Sequence, residues 1–81
     1  MNIFQQETHL ECRVFKTNVE NALTASRLIY VLEHSIGIKE WNLDMEDCDR
    51  VLRINYEKLH LPTFAQSLSA FGVEIEELPI W

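Results

Sequence analysis

Six short segments, alternately strand-like and helix-like, fill most of this 81-residue chain. Residues 10–14 alternate apolar and polar side chains as a strand does, and this predicts an inward face of Leu10, Cys12 and Val14. Residues 21–35 then place apolar side chains at helical spacing, after a cap at Asn18 or Asn21. The predicted inward stripe of this helix is Ala22, Ala25, Leu28, Ile29, Leu32 and Ile36.

The second half of the chain repeats the pattern after Gly37, which we expect to end the first helix in the left-handed conformation. Residues 41–45 and 52–56 alternate as two strands of a hairpin. Pro62 suits the first turn of a second helix, which Gly72 ends. Its predicted inward side is Leu61, Phe64, Ala65, Leu68 and Phe71. Residues 73–76 alternate again as a fourth strand.

This order of segments predicts one α+β domain over residues 1–81, with its core at about residues 10–78. Two strand–helix–strand units that share a central hairpin give the ferredoxin-like βαββαβ sandwich. Its four-stranded antiparallel sheet has both helices on one face. The other face, here called the open face, is predicted to carry Glu11, Arg13, Phe15, Asn42, Asp44, Arg53 and Asn55. A bulge near Lys16 would instead turn the ring of Phe15 inward.

Charge and composition exclude several classes of partner. The net charge of −6 and the pI near 4.9 argue against nucleic acid and against an anionic membrane surface, both of which select basic proteins. The first residues have neither a basic start nor an apolar signal core, so we expect a cytoplasmic protein. Cys12 and Cys48 lie far apart in the sequence and are expected to be free thiols.

Several of these features together resemble the heavy-metal-associated domain family, which comprises small copper-chaperone-like modules, over about residues 10–78. The likeness rests on Gly37-Ile38 after the first helix, on the apolar alternation of residues 41–45, and on Ala-Phe-Gly-Val-Glu at residues 70–74. Residues 15–19 and 41–54 are also similar to a group of short bacterial proteins of this type.

The resemblance implies a metal loop, Met-x-Cys-x-x-Cys, at the start of the first helix. Counting back from Gly37 places this loop at residues 19–24, where Asn21 and Thr24 occupy the positions of the two cysteines. An amide and a hydroxyl are poor ligands for soft copper, which selects thiolate and thioether sulfur. The resemblance therefore implies the fold of the family without its metal site.

The residues between the second and third strands form the main candidate for a cation site. The acidic tip, defined as Asp44, Glu46, Asp47 and Asp49, offers hard carboxylate ligands of the kind that calcium prefers. It lacks the glycine turn and the distal glutamate of a calcium loop, which favours a solvated hairpin end. Within the tip, the thiolate of Cys48 is disfavoured by its acidic neighbours. The histidines have no paired spacing and are His9, His34 and His60.

We therefore expect a non-enzymatic domain without a cofactor that acts through contact with another protein or through self-association. The predicted contact surface is the open face together with the edge of the second or fourth strand, and its residues are Arg13, Phe15, Arg53 and Trp81. The alternative is metal binding or trafficking through unconventional ligands, such as Cys48 with nearby carboxylates or a thiol shared between two chains.

Two other functions of this topology fit the sequence less well. An RNA-recognition module needs aromatic rings with basic neighbours on its sheet, and residues 51–56 lack that pattern. An acylphosphatase-like enzyme needs a basic, glycine-bearing anion loop, and residues 17–24 contain neither glycine nor arginine.

Overall fold

The computed structural model describes residues 10–79 and contains the six predicted elements in the predicted order. The elements are β1 (Glu11–Thr17), α1 (Ala22–Glu33), β2 (Ile38–Asp44), β3 (Val51–Tyr56), α2 (Leu61–Ala70) and β4 (Ile75–Leu78). The strands form one sheet in the order β2-β3-β1-β4, and every neighbouring pair is antiparallel. The predicted ferredoxin-like βαββαβ fold is confirmed, with β2 and β4 as the sheet edges.

Helix α1 begins at its predicted cap and ends earlier than its periodicity predicts. The side chain of Asn21 accepts a hydrogen bond from the amide of Thr24, which satisfies one of the free donors of the first turn. Ile36, predicted to face the core, is 92% exposed because the helix ends at Glu33 and the stripe does not reach it. Ala22, at the other end of the predicted stripe, is exposed as well. The buried residues of the helix are Leu28, Val31 and Leu32.

Gly37 is required for close packing and not for a left-handed turn, which corrects the prediction. Within residues 10–79, positive φ angles occur at Arg50 and Gly72. A Cβ atom on Gly37 would overlap the backbone carbonyl oxygen of Lys58. The carbonyl of Gly37 also accepts a 2.9 Å hydrogen bond from the amide of Glu57. The glycine thus lets the start of β2 lie directly against the connection between β3 and α2.

Gly72 ends α2 as predicted, with φ at +83°. The amide of Gly72 donates to the carbonyl of Ser69, and the amide of Val73 donates to the carbonyl of Leu68, which together form a Schellman motif. Leu68 and Val73 are both fully buried, so the motif also closes an apolar contact. Val73 precedes β4 instead of starting it, and Phe71, predicted to face inward, is 39% exposed.

The inward face of β1 is the opposite of the predicted one. Phe15 is only 1% exposed and lies opposite the buried Leu52, whereas Cys12 is exposed and Leu10 is 40% exposed. The register between β1 and β3 runs without a bulge from Glu11 to Phe15, so strand parity alone turns the ring inward. Both faces of β1 carry apolar side chains, and the aromatic ring has the larger area to bury.

The hydrophobic core lies between the sheet and the two helices. Side chains from the sheet and from both helices contribute to it, so the two layers share one continuous apolar interior. Its buried members are Phe15, Val19, Leu28, Val31, Leu32, Leu52, Ile54, Tyr56, Phe64, Leu68 and Val73.

Candidate functional site

The resemblance to the heavy-metal-associated family implies a metal loop at the start of α1. The polar atoms of Asn21 and Thr24 at this place form hydrogen bonds with each other. The side-chain oxygen of Asn21 lies 2.9 Å from the amide nitrogen of Thr24 and 2.9 Å from its hydroxyl oxygen. Both Thr24 groups donate to the same oxygen. The two positions are therefore occupied by a helix cap, and this pair offers no soft ligand atom.

The loop before α1 is held by the two other connections at the same end of the sheet. The side chain of Asn18 accepts from the amide of Glu74 at 2.8 Å and donates to the carbonyl of Gly72 at 3.2 Å. The hydroxyl of Thr17 donates to the carbonyl of Arg50 at 2.8 Å. These contacts fix the loop between the β2–β3 hairpin and the connection from α2 to β4, so it is well anchored.

The carboxylates of the acidic tip organise the hairpin. One oxygen of Asp44 accepts from the amides of Glu46 and Asp47, at 3.0 and 3.3 Å, and Asp47 accepts from the amide of Asp49 at 2.8 Å. Ligand atoms of Asp47, Asp49 and the exposed Cys48 lie within 4.8 Å of one another. Asp44 and Glu46 do not belong to this group. Two of the four carboxylates thus have backbone donors as partners, the usual state of a polar turn.

Arg13 belongs to a network on the helix side of the sheet, not to the open face where it was predicted. Its Nε donates to the hydroxyl of Tyr56 and its guanidinium donates to Glu77, each at 2.6 Å. The Tyr56 hydroxyl in turn donates to Glu11 at 3.3 Å, so Glu11 also lies on this side. The hydrogen bonds to Tyr56 and then to Glu77 raise the pKa of Arg13 above its ordinary value. The guanidinium is thus a charged structural link between β1, β3 and β4.

The remaining predicted contact residues are distributed as follows. Phe15 is buried in the core and is not a surface residue, because β1 has the opposite parity from the one predicted. Arg53 is exposed on the open face, opposite Val14 of β1 and Asn42 of β2. Trp81 and His9 lie outside the described residues.

An exposed aromatic surface lies between the two helices, and the sequence patterns did not predict it. Tyr30 on α1 is 55% exposed, and the ring of Phe71 lies against it edge to face at 6.2 Å. These two rings line a shallow cleft of about 500 Å³ together with Ser26 and Arg27. The sequence contained one indication of this surface. Leu23 and Tyr30 are large side chains seven residues apart, and both lie on the outer side of α1.

Comparison with solved structures finds several domains of similar fold. The apo form of the HMA domain of the copper chaperone for superoxide dismutase is similar with a TM-score of 0.71 at 12% identity, over 98% of this chain and 79% of that one. The yeast copper transporter domain Ccc2a is similar with a TM-score of 0.70 at 8% identity, over 84% and 94%. The PacS N-terminal domain from Synechocystis has a TM-score of 0.67 at 13% identity, over 85% and 98%.

These likenesses establish a fold of the heavy-metal-associated type. No family model matches the chain, and no curated protein matches it. Among residues 10–79, neither helix is long and apolar enough to cross a membrane.

Proposed function

We propose that this chain is a non-enzymatic domain of heavy-metal-associated fold that lacks the metal-binding thiols and acts by contact with another protein or by self-association. The observation that carries the proposal is the cap formed by Asn21 and Thr24 at the start of α1. It stands where the family resemblance calls for two thiolates, in a fold whose solved neighbours include a copper transporter domain in apo and Cu(I)-loaded states.

The two cysteines of the chain do not supply a substitute pair. Cys12 lies near the start of β1, whereas Cys48 lies in the hairpin that contacts Thr17 through the neighbouring Asp49 and Arg50. Thr17 lies five positions beyond Cys12 along the extended strand, which is a distance of roughly 16 Å. A single metal ion with sulfur ligands at about 2.3 Å does not bridge that span within one molecule.

The copper half of the proposal is tested by restoring the thiols. We expect the reduced protein to bind no stoichiometric Cu(I) against a competing chelator, and the double variant Asn21→Cys/Thr24→Cys to gain one tightly bound ion. Loss of the cap should cost the variant about 1 kcal/mol of stability. The matched control carries Cys12→Ser and Cys48→Ser in both backgrounds, so that any gain is assigned to the new pair.

Two results would contradict this proposal. Sub-micromolar binding of one Cu(I) by the original protein would show that it handles metal through other ligands. Failure of the cysteine pair to bind copper in a folded variant would show that residues 21 and 24 are not the equivalent of the family's metal positions.

The contact half of the proposal is tested separately. We expect affinity purification of the tagged chain from its source cell to recover a second protein, or an untagged second copy, in comparable amount. Recovery of the tagged chain alone, in monomeric form, would contradict a role in protein contact.

A further inference from the structure

A row of exposed side chains runs along the outer side of α1. Its members, here called the α1 stripe, are Leu23, Arg27, Tyr30 and His34, which are spaced four, three and four residues apart. This spacing places them on one face of the helix, away from the buried Leu28 and Leu32. The exposed fractions of Leu23 and Tyr30 are 61% and 55%, so large apolar surfaces remain in solvent.

The aromatic part of the stripe is held in place by its neighbours. The rings of Tyr30 and His34 have centroids 4.1 Å apart, and the edge of Phe71 meets Tyr30 at 88°. The Nδ1 atom of His34 lies 2.8 Å from the carbonyl oxygen of Tyr30. Side chains that are already restrained lose less entropy when a partner covers them, which favours their use as a contact surface.

The helix layer is nearly free of charge in an acidic protein. The chain has 13 acidic residues, yet α1 and α2 contain only Arg27 and Glu33 as charged side chains. The ion pairs found among residues 10–79 join Arg13 to Glu77 and Lys39 to Glu57, and neither includes Arg27. Interface centres are depleted in Lys, Glu and Asp and enriched in Tyr, Phe and Arg, as this surface is.

We propose that the α1 stripe is a homodimer surface in which the α1 helices of two copies pack antiparallel about a twofold axis, with Arg27 of each over Tyr30 of the other. This inference rests on the proposed function and names its contact surface and its partner. The four-three-four spacing is that of a short coiled-coil seam. An axis midway between residues 27 and 30 sets each guanidinium on the opposite ring and each Leu23 beside the opposite His34.

A second copy fits this surface better than an unrelated acidic partner does. A twofold contact requires a surface that is complementary to itself, and the stripe presents a cation and an aromatic ring in symmetric order about its centre. An acidic partner would match Arg27 and leave the rings of Tyr30 and Phe71 without a specific role. The low charge of the helices also makes this the face on which two molecules of net charge −6 repel each other least.

The contact is expected to be weak and therefore visible only at high concentration. Four stripe side chains with Ser26 and Phe71 beside them are far fewer than the roughly 20–30 residues per partner of a stable interface. We therefore take roughly 10–300 µM, the affinity range of a weak contact, as the dissociation constant to be tested.

The test is sedimentation equilibrium of the full chain from about 10 µM to about 1 mM, a range that brackets that constant. We expect the average mass of the original protein to rise from 9.6 kDa toward twice that value. Arg27→Glu should weaken dimerisation at least about tenfold, because the reversed charge faces the electron-rich ring. Arg53→Glu makes the same change in net charge at an exposed residue of the open face, the contact surface predicted from the sequence. It should leave the association unchanged if the α1 stripe, and not the open face, is the dimer surface.

A mass that stays at 9.6 kDa at the highest concentration would overturn the inference. So would a dimer that Arg27→Glu and Arg53→Glu weaken equally or not at all, because the contact would then lie elsewhere. Thermal unfolding of both variants checks that they are folded. If the protein is monomeric, the copper prediction and contact with a different protein both still stand. If the original protein binds copper, the proposed function is wrong but the dimer is not affected.

Discussion

Phe15 and Cys12 are three positions apart on β1 and therefore face opposite sides of the sheet. Only one of the two can contribute to the core, and burying an aromatic ring removes much more apolar area from water than burying a thiol. The structure buries Phe15 and exposes Cys12. One large side chain thus decides which face of the strand contacts the helices.

Truncation of Phe15 tests this assignment. Phe15→Ala should destabilise the domain by about 3–5 kcal/mol, because it removes a fully buried ring that also packs 6.4 Å from the ring of Phe64. Val14→Ala, the neighbouring change on the open face, should cost about 1 kcal/mol or less. Urea unfolding measures both. Equal losses would mean that the ring is not part of the core.

The face of β1 was not predictable from its own residues, because Leu10, Cys12 and Val14 alternate as convincingly as residues 15, 17 and 19 do. Helix caps were predictable, since Asn21 and Gly72 act through bonds to residues only a few positions away. The sequence also shows directly that residues 21 and 24, at the start of α1, carry no thiol. The aromatic neighbour of Tyr30 was not, because Phe71 reaches it from the end of the other helix.

At the scale of the elements, the two glycines have different physical roles. Gly72 adopts a left-handed angle, and a Cβ atom added to it would meet nothing within 4 Å, so only backbone strain opposes a larger residue there. Gly37 has an ordinary φ angle but lies against the backbone of Lys58. Its partner is distant in sequence, which is why a local pattern assigned Gly37 the wrong role.

Alanine substitutions separate the two roles. Gly72→Ala should cost about 1–2 kcal/mol, the strain of a left-handed alanine. Gly37→Ala should cost about 1–3 kcal/mol or more, because β2 must move away from the connection to α2. Adding Lys58→Ala should not rescue Gly37→Ala, since the overlapping atom is a backbone oxygen. Thermal unfolding compares the variants, and rescue by Lys58→Ala would contradict the packing role.

At the scale of the whole molecule, negative charge is concentrated away from the helices. Among residues 10–79, every acidic residue except Glu33 lies in the sheet or its connections, and the two ion pairs there are solvent-exposed to a third or more on each side chain. Exposed pairs of this kind contribute little to stability. Repulsion among the carboxylates is therefore expected to destabilise the fold at low salt and to be screened as salt is added.

The acidic tip tests whether this repulsion or a specific cation governs the hairpin. The double variant Asp47→Asn/Asp49→Asn removes two negative charges, while the new amide at position 47 keeps an oxygen that can accept the hydrogen bond from the backbone amide of residue 49. We expect its melting temperature to be unchanged or slightly higher than that of the original protein, and its rise with added salt to be smaller. The screening length of about 8 Å at physiological salt is long enough to couple the neighbouring carboxylates.

Calcium distinguishes the two explanations because it can act through screening or through coordination. If the tip is a solvated hairpin end, millimolar calcium should raise the melting temperature no more than magnesium at the same ionic strength does. A coordinated ion would instead stabilise the original protein selectively, since a ligand that binds only the folded state adds its binding free energy to folding. Calcium-specific stabilisation that disappears in Asp47→Asn/Asp49→Asn would therefore identify a cation site formed by the tip carboxylates, and the repulsion account would be wrong.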